Sequence, residues 1–280
     1  MTLRHILRTL ALAAALLSTH AAHAQLFRAY LAIDGNDANP CTLPQPCRLL
    51  PAALNAVADG GEIWMLDSAN YNTATVNIAK SVKILAVPGV VGSVVATGGP
   101  AISIATAGVN VALRNLVIVP LPGGGGTSGV VVTAGDSLTV EDSLITGTMT
   151  GSGIAVYGSA TAKVVGTTIR VSGAGANGIS TGSGTRVTVT RAVISASGSN
   201  AIGVQSGTAG TATTLSVSGS TLEGSLRGLW VQSTHATATV KASVSDSQVD
   251  RNDYGLHIDT GAGAAVTLAA SGNVVTNSTY

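Results

Sequence analysis

The chain has 280 residues, with 14 Lys plus Arg against 13 Asp plus Glu and a net charge of +1. Only 10% of residues are charged, which excludes a basic nucleic-acid binder, because neutralising phosphates takes clustered Lys and Arg. A hydrophobic content of 45% excludes a disordered chain, and 35 glycines with abundant Ser and Thr suit strands and turns better than helix interiors.

In chain order, the first element is an export signal over residues 1–24. Arg4 and Arg8 form a basic start, Leu10 to Leu17 a short apolar run, and Ala22-His23-Ala24 a small-residue cleavage site. The run is far short of the roughly 20 apolar residues of a membrane span, so no transmembrane segment is expected. A mature chain starting at Gln25 would be secreted, periplasmic or displayed at the cell surface. Cys41 and Cys47 are the only two cysteines. Export, even count and close spacing favour a disulfide over two free thiols. A pair this close is too small for a structural zinc site.

Residues 25–61 read as an N-terminal unit of strand, disulfide loop and capping helix. From Cys47 to Asp59 the apolar positions Leu49, Leu50, Ala53, Leu54 and Val57 have helical spacing, with Gly60-Gly61 as the stop. Strands are expected at Glu62 to Leu66 and at Ser81 to Leu85.

Residues 62–280 carry a repeat of 24 to 28 residues, clearest from about residue 99. One column is Gly followed by an aliphatic: Gly129, Gly153, Gly178, Gly203, Gly228 and Gly255. A second is Ile118, Ile145, Ile169, Ile194, Leu222, Val249 and Val275. Five residues before each lies Leu113, Val140, Val164, Val189, Val217, Val244 or Ala270. Between these columns apolar and small polar residues alternate with period two, the mark of a strand buried on one face. The repeat is too short for a βαβ unit or a propeller blade. It lacks the regular Leu and Asn of leucine-rich repeats and uses β-branched residues instead. It fits one turn of an all-β parallel solenoid, a single-stranded β-helix whose coils bury their apolar stripes by stacking. The glycines mark positive φ or close backbone approach. Spacing differences are assigned to loops of different length at one corner. An end rung is an open edge, and the short N-terminal helix is a suitable cover for it.

The segment Tyr30-Leu31-Ala32-Ile33-Asp34-Gly35-Asn36-Asp37, with Asn39-Pro40, Pro46, Ala52-Ala53-Leu54 and Gly61-Glu62-Ile63, resembles the N-terminal part of bacterial right-handed parallel β-helix proteins of the pectin-lyase-like superfamily. The resemblance runs on through the coils. It implies a right-handed β-helix, in a superfamily that includes polysaccharide lyases, hydrolases, tailspikes and adhesins. No catalytic motif of a pectate lyase or polygalacturonase matches these residues, which counts against those activities.

Two positions after each column glycine the side chain should face outward: Val131, Ala155, Ser180, Gln205, Trp230 and His257. Two further on come Thr133, Tyr157, Gly182, Gly207, Gln232 and Asp259. The late coils thus present Trp230, Gln232, Tyr254 and His257 as candidate carbohydrate contacts, since a sugar can lay its apolar face on an indole. Arg227 and Tyr254 should stack together. His257 and Asp259 are candidate acid or base groups and Arg227 a candidate anion stabiliser. Against catalysis, residues two apart on a strand lie nearly 7 Å apart. Asp246, Asp250, Asn252 and Asp253 could ligate calcium but read better as a turn, as do Asp34, Asn36 and Asp37. No metal or cofactor is expected. Leu121 to Gly126 reads as a loop extending one coil.

The expectation is therefore a secreted or cell-surface β-helix that binds polysaccharide or an envelope surface, and not nucleic acid. The alternative is a polysaccharide lyase or glycoside hydrolase acting at the Trp230/His257 face. At the C-terminus the repeat places the next glycine at position 281, with Tyr280 in the place of Arg227 and Tyr254. Three readings follow: a chain that continues, an edge paired with another chain, or a frayed end.

Overall fold

The computed structural model describes residues 25–261 and 263–278. The export signal at 1–24 and the expectation for Tyr280 lie outside the described residues. The remainder winds into coils that build three parallel sheets of ten, eight and nine strands. The first sheet runs from Leu26–Leu31 to Ala265–Ser271, the second from Val76–Ile78 to Tyr254–Thr260, and the third from Ala69–Asn70 to Val274–Thr276. Each strand inside a sheet pairs with the corresponding strands of the coils before and after it, and each end strand with one.

The apolar columns are the interior. Ile118, Ile145, Ile169, Ile194, Leu222, Val249 and Val275 are successive partners in the third sheet. The first six are buried, while Val275, in the last coil described, is 51% exposed. Leu113, Val140, Val164, Val189, Val217 and Val244 form the matching buried ladder of the first sheet, ending at the more exposed Ala270. Each fully buried Val, Leu or Ile contributes about 1.5–3 kcal/mol, so stacking is the main force holding one coil on the next.

The corner between first and third sheets is the same in every coil from Leu113 onward. Two residues after the buried first-sheet position, the backbone turns left-handed at Asn115, Asp142, Gly166, Arg191, Gly219, Asp246 and Gly272. Glycine does this freely, and Asn and Asp are the other residues that tolerate it best. The residue that follows is often a buried hydroxyl. Ser143, Ser220 and Ser247 accept N–H bonds from the preceding coil, each at 3.1 Å, from Leu116, Ala192 and Ser220. These bonds satisfy backbone donors that the turn takes out of the sheet ladder.

The column glycines serve close approach, not positive φ. A Cβ on Gly153 would lie 2.6 Å from Ile169 Cγ2 and 2.7 Å from the Gly178 carbonyl oxygen. The glycine column therefore makes room for the γ-methyls of the isoleucine column.

Three expectations need correction. The helix is only Leu50–Ala56, with Pro51 in its first turn, and a strand already begins at Val57. Val57 is fully buried and pairs with Leu26, while Arg28 pairs with Glu62, so Asp59 to Gly61 form an irregularity in that strand and do not end a helix. Leu50, Ala53 and Leu54 are buried against Leu26–Leu31, Val57–Met65 and Val76–Ile78, the first strands of two sheets. Second, Gly203 is not a column member: Ile202 pairs with both Ile179 and Leu229, which puts Ala201 in the column. The corner before it is two residues shorter, with eight residues from Ile194 to Ile202 against ten from Ile169 to Ile179. Third, coil length varies at two corners, those on either side of the second sheet.

Candidate functional site

The site occupies the outer face of the second sheet in its last coils. Asn177, Asn200, Arg227 and Tyr254 start successive strands there, and Gly203, Trp230 and His257 follow in one row, then Gln205, Gln232 and Asp259 in the next. The corrected register puts Gln205, not Gly207, beside Gln232. It also leaves Gly203 beside Trp230, where a Cβ would be 3.7 Å from the indole Cε3.

Asp259 organises the cluster. Its Oδ2 accepts from Trp230 Nε1 at 2.6 Å and its Oδ1 lies 3.0 Å from His257 Nε2. The distance objection raised from strand spacing fails here: both side chains lean along the strand and close the gap. The indole bond first, and the His257 bond second, hold the Asp259 carboxyl below the usual carboxylate range, against partial desolvation. The Tyr254 ring meets the imidazole edge-on, with centroids 5.3 Å apart. Arg227 lies between the aromatics, its Cζ 5.5 Å from the Trp230 ring and 5.7 Å from the Tyr254 ring, so the expected stack forms. Its Nη1 donates to Asn200 Oδ1 at 3.3 Å, and Asn200 Nδ2 donates to Asn177 Oδ1 at 2.8 Å. Gln205 Nε2 donates to Gln232 Oε1 at 3.1 Å.

All the candidate residues are thus brought together: Arg227, Trp230, Gln232, Tyr254, His257 and Asp259. The sequence reading missed the asparagine ladder beneath Arg227 and the true register of Gln205. The signal for both was the pair Ala201-Ile202, a small residue before an aliphatic one, passed over in favour of the nearby glycine. A groove of about 640 Å³ adjoins the cluster at Gln205 and Gln232 and extends back to Tyr157.

Elsewhere, Cys41 and Cys47 are joined by a disulfide and both are buried. The segment at Asp250 is a turn: Arg251 is left-handed, and Asp250 accepts from Thr276 at 2.8 Å and Asn277 at 3.0 Å. Asp37 likewise spends one oxygen on the Arg48 and Leu49 amides, both at 2.8 Å. Among the described residues no group of three or more His, Cys, Asp or Glu is placed to hold a metal ion. No described helix is long and apolar enough to cross a membrane.

A second tryptophan cluster sits at the N-terminal end of the first sheet. Arg28 lies 4.0 Å over the Trp64 ring, and Tyr30 packs edge-on at 6.3 Å. Trp64 Nε1 donates to Glu62 at 3.2 Å, and Glu62 is paired with Arg28 at 2.7 Å and Lys83 at 3.7 Å.

Three sheets of in-register parallel strands around one apolar column define a parallel β-solenoid. The family model for the right-handed β-helix region matches residues 128–280, and the chain belongs to that family. Among solved structures it is similar to pectate lyase Pel9A, with 14% identity, a TM-score of 0.57, and 90% of this chain and 78% of that one covered. It is similar to XylC in complex with xylose, with 8% identity, a TM-score of 0.61, and coverage of 87% and 69%. The endo-xylogalacturonan hydrolase from Aspergillus tubingensis gives 15% identity, a TM-score of 0.52, and coverage of 89% and 92%. At these identities the likeness is one of fold. No curated protein matches the chain.

Proposed function

We propose that the chain is a secreted or cell-surface carbohydrate-binding β-helix whose contact surface is the Trp230 face. The observation that carries this is the anchoring of Trp230 and His257 to the two oxygens of one carboxylate, Asp259. An aromatic surface fixed in this way loses little freedom when a sugar ring lies on it. The amides of exposed Gln205 and half-buried Gln232 supply hydrogen bonds beside it. The solved structures named above include proteins described as acting on polysaccharide or binding a sugar. The buried disulfide agrees with an oxidising compartment.

The second reading is catalysis, favoured by the 3.0 Å contact that orients the His257 imidazole. It is the weaker one. Among the described residues Asp259 is the only carboxylate of the cluster and both its oxygens are occupied, whereas glycoside hydrolysis commonly uses two carboxyl groups.

A glycan array read together with a turnover assay on the same polysaccharides tests the proposal. Binding without product, weakened by Trp230→Ala, is the expected result. Turnover that His257→Ala abolishes would replace it with the catalytic reading.

A further inference from the structure

The groove beside the Trp230 cluster arises from a step in corner length. Ala162 lies six positions after Val156 and Val187 six after Thr181, whereas Leu215 and Ala242 lie eleven positions after Val204 and Val231. The longer corners place Thr208 and Thr234 beside the short ones that follow Tyr157 and Gly182. Four successive coils therefore line one groove that runs along the solenoid axis. From the Tyr157 coil to the Gln232 coil is three steps, or roughly 14 Å at ~4.8 Å each, longer than a single sugar ring.

None of the twelve residues lining this groove is charged at neutral pH. What they offer is hydroxyl and amide. Ser183 Oγ accepts from the Gly207 and Thr208 amides at 3.0 and 3.2 Å, which leaves its own proton free to donate into the groove. The Gln205–Gln232 bond uses one donor and one acceptor and leaves the Gln205 carbonyl and the Gln232 amide hydrogens to a ligand. At the far end the Tyr157 ring lies across Gly182, where a Cβ would come 2.6 Å from Cδ1, and the residue stays 40% exposed. An acidic glycan would place carboxylates in this groove with no cation to replace their water.

We propose that the groove binds an uncharged oligosaccharide extended along the solenoid axis, with Tyr157 stacking on a sugar ring remote from Trp230. This rests on the carbohydrate reading of the Trp230 face and adds the chemical class and direction of the ligand.

The test is calorimetric titration of the full chain with neutral xylo-, cello- and manno-oligosaccharides of increasing length, and with oligogalacturonides, at low and high salt. At least one neutral series binds, more tightly with length and without salt dependence, since no ion pair is there to be screened. Tyr157→Ala weakens the longer members about tenfold, as expected for loss of one stacking platform, and Tyr157→Phe does not. Tighter binding of oligogalacturonides than of every neutral series, weakened by salt, overturns the proposal from the unmodified protein alone. Neutral binding that Trp230→Ala abolishes and Tyr157→Ala leaves intact also overturns it, while sparing the Trp230 face. Binding of neither class overturns both.

Discussion

The two tryptophans of the chain sit in clusters built from the same parts and finished differently. Each indole N–H is held by a carboxylate, Glu62 for Trp64 and Asp259 for Trp230. Each ring has an arginine within 6 Å and a second aromatic residue in its cluster. At Trp64 the charges are closed among themselves, since Glu62 carries both Arg28 and Lys83 and Arg28 covers the ring at 4.0 Å. At Trp230 the arginine stands further off, shared with Tyr254, and among the described residues it makes no ion pair. A tryptophan on an outer sheet face is thus no sign of a binding site by itself. Both rings are half-buried, and what differs is how their charged neighbours are paired.

Deleting each ring in turn separates the two sites most directly. Trp64→Ala is expected to lower unfolding stability by about 2–3 kcal/mol, because it removes a packed ring and takes one hydrogen-bond donor from the Glu62 carboxylate, with glycan binding unchanged. Trp230→Ala should do the reverse in emphasis, weakening glycan affinity by about tenfold or more with a stability loss nearer 1 kcal/mol. Chemical denaturation and titration calorimetry on the two variants check both, and equal effects on binding would erase the distinction.

A smaller effect separates the arginines. Arg28→Ala should lower the denaturation midpoint through lost stacking and ion pairing, whereas Arg227→Ala should shift the midpoint less and loosen Trp230. Fluorescence anisotropy of Trp230 in a Trp64→Phe background reads that loosening.

Acid gives the smallest difference. Hydrogen bonding by Arg28 lowers the Glu62 carboxyl, and the Trp230 indole lowers Asp259. A depressed carboxylate stabilises the fold at pH values above its unfolded pKa, roughly 4, and that contribution is lost as pH falls through the lower folded value. Fluorescence of the single-tryptophan proteins Trp64→Phe and Trp230→Phe should therefore each change below about pH 4. A transition near neutrality at Trp64 would show that the carboxylate is not what holds that ring.

The coil repeat was legible because its strongest signals are local. Alternating apolar residues define the strands, and the five-residue interval between Leu113 and Ile118 recurs down the chain to Ala270 and Val275. The left-handed corner went unread, because its members Asn115, Asp142, Gly166, Arg191, Gly219, Asp246 and Gly272 share a backbone conformation and no single residue type. The helix was read too long because Val57 has the spacing of a helical residue, while pairing with Leu26, distant in sequence, draws it into a sheet. The cluster's composition was foreseen, but its geometry was not. Side-chain lean brought His257 onto Asp259, and a short corner moved Gln205 into line with Gln232.

The corner between the first and third sheets keeps one length while the other two stretch and shrink. A strand's faces exchange on a slip of one residue, so an unopposed error would turn every later coil inside out. The constant corner resets the count once per coil: whatever is added at the variable corners, the next pair of strands starts in phase. It works as a frame marker. Sequence can enter or leave at Leu121–Gly126 or Gly207–Thr211 without consequence for the coils beyond, whereas one extra residue between Asp142 and Ile145 would put Ile145 in water.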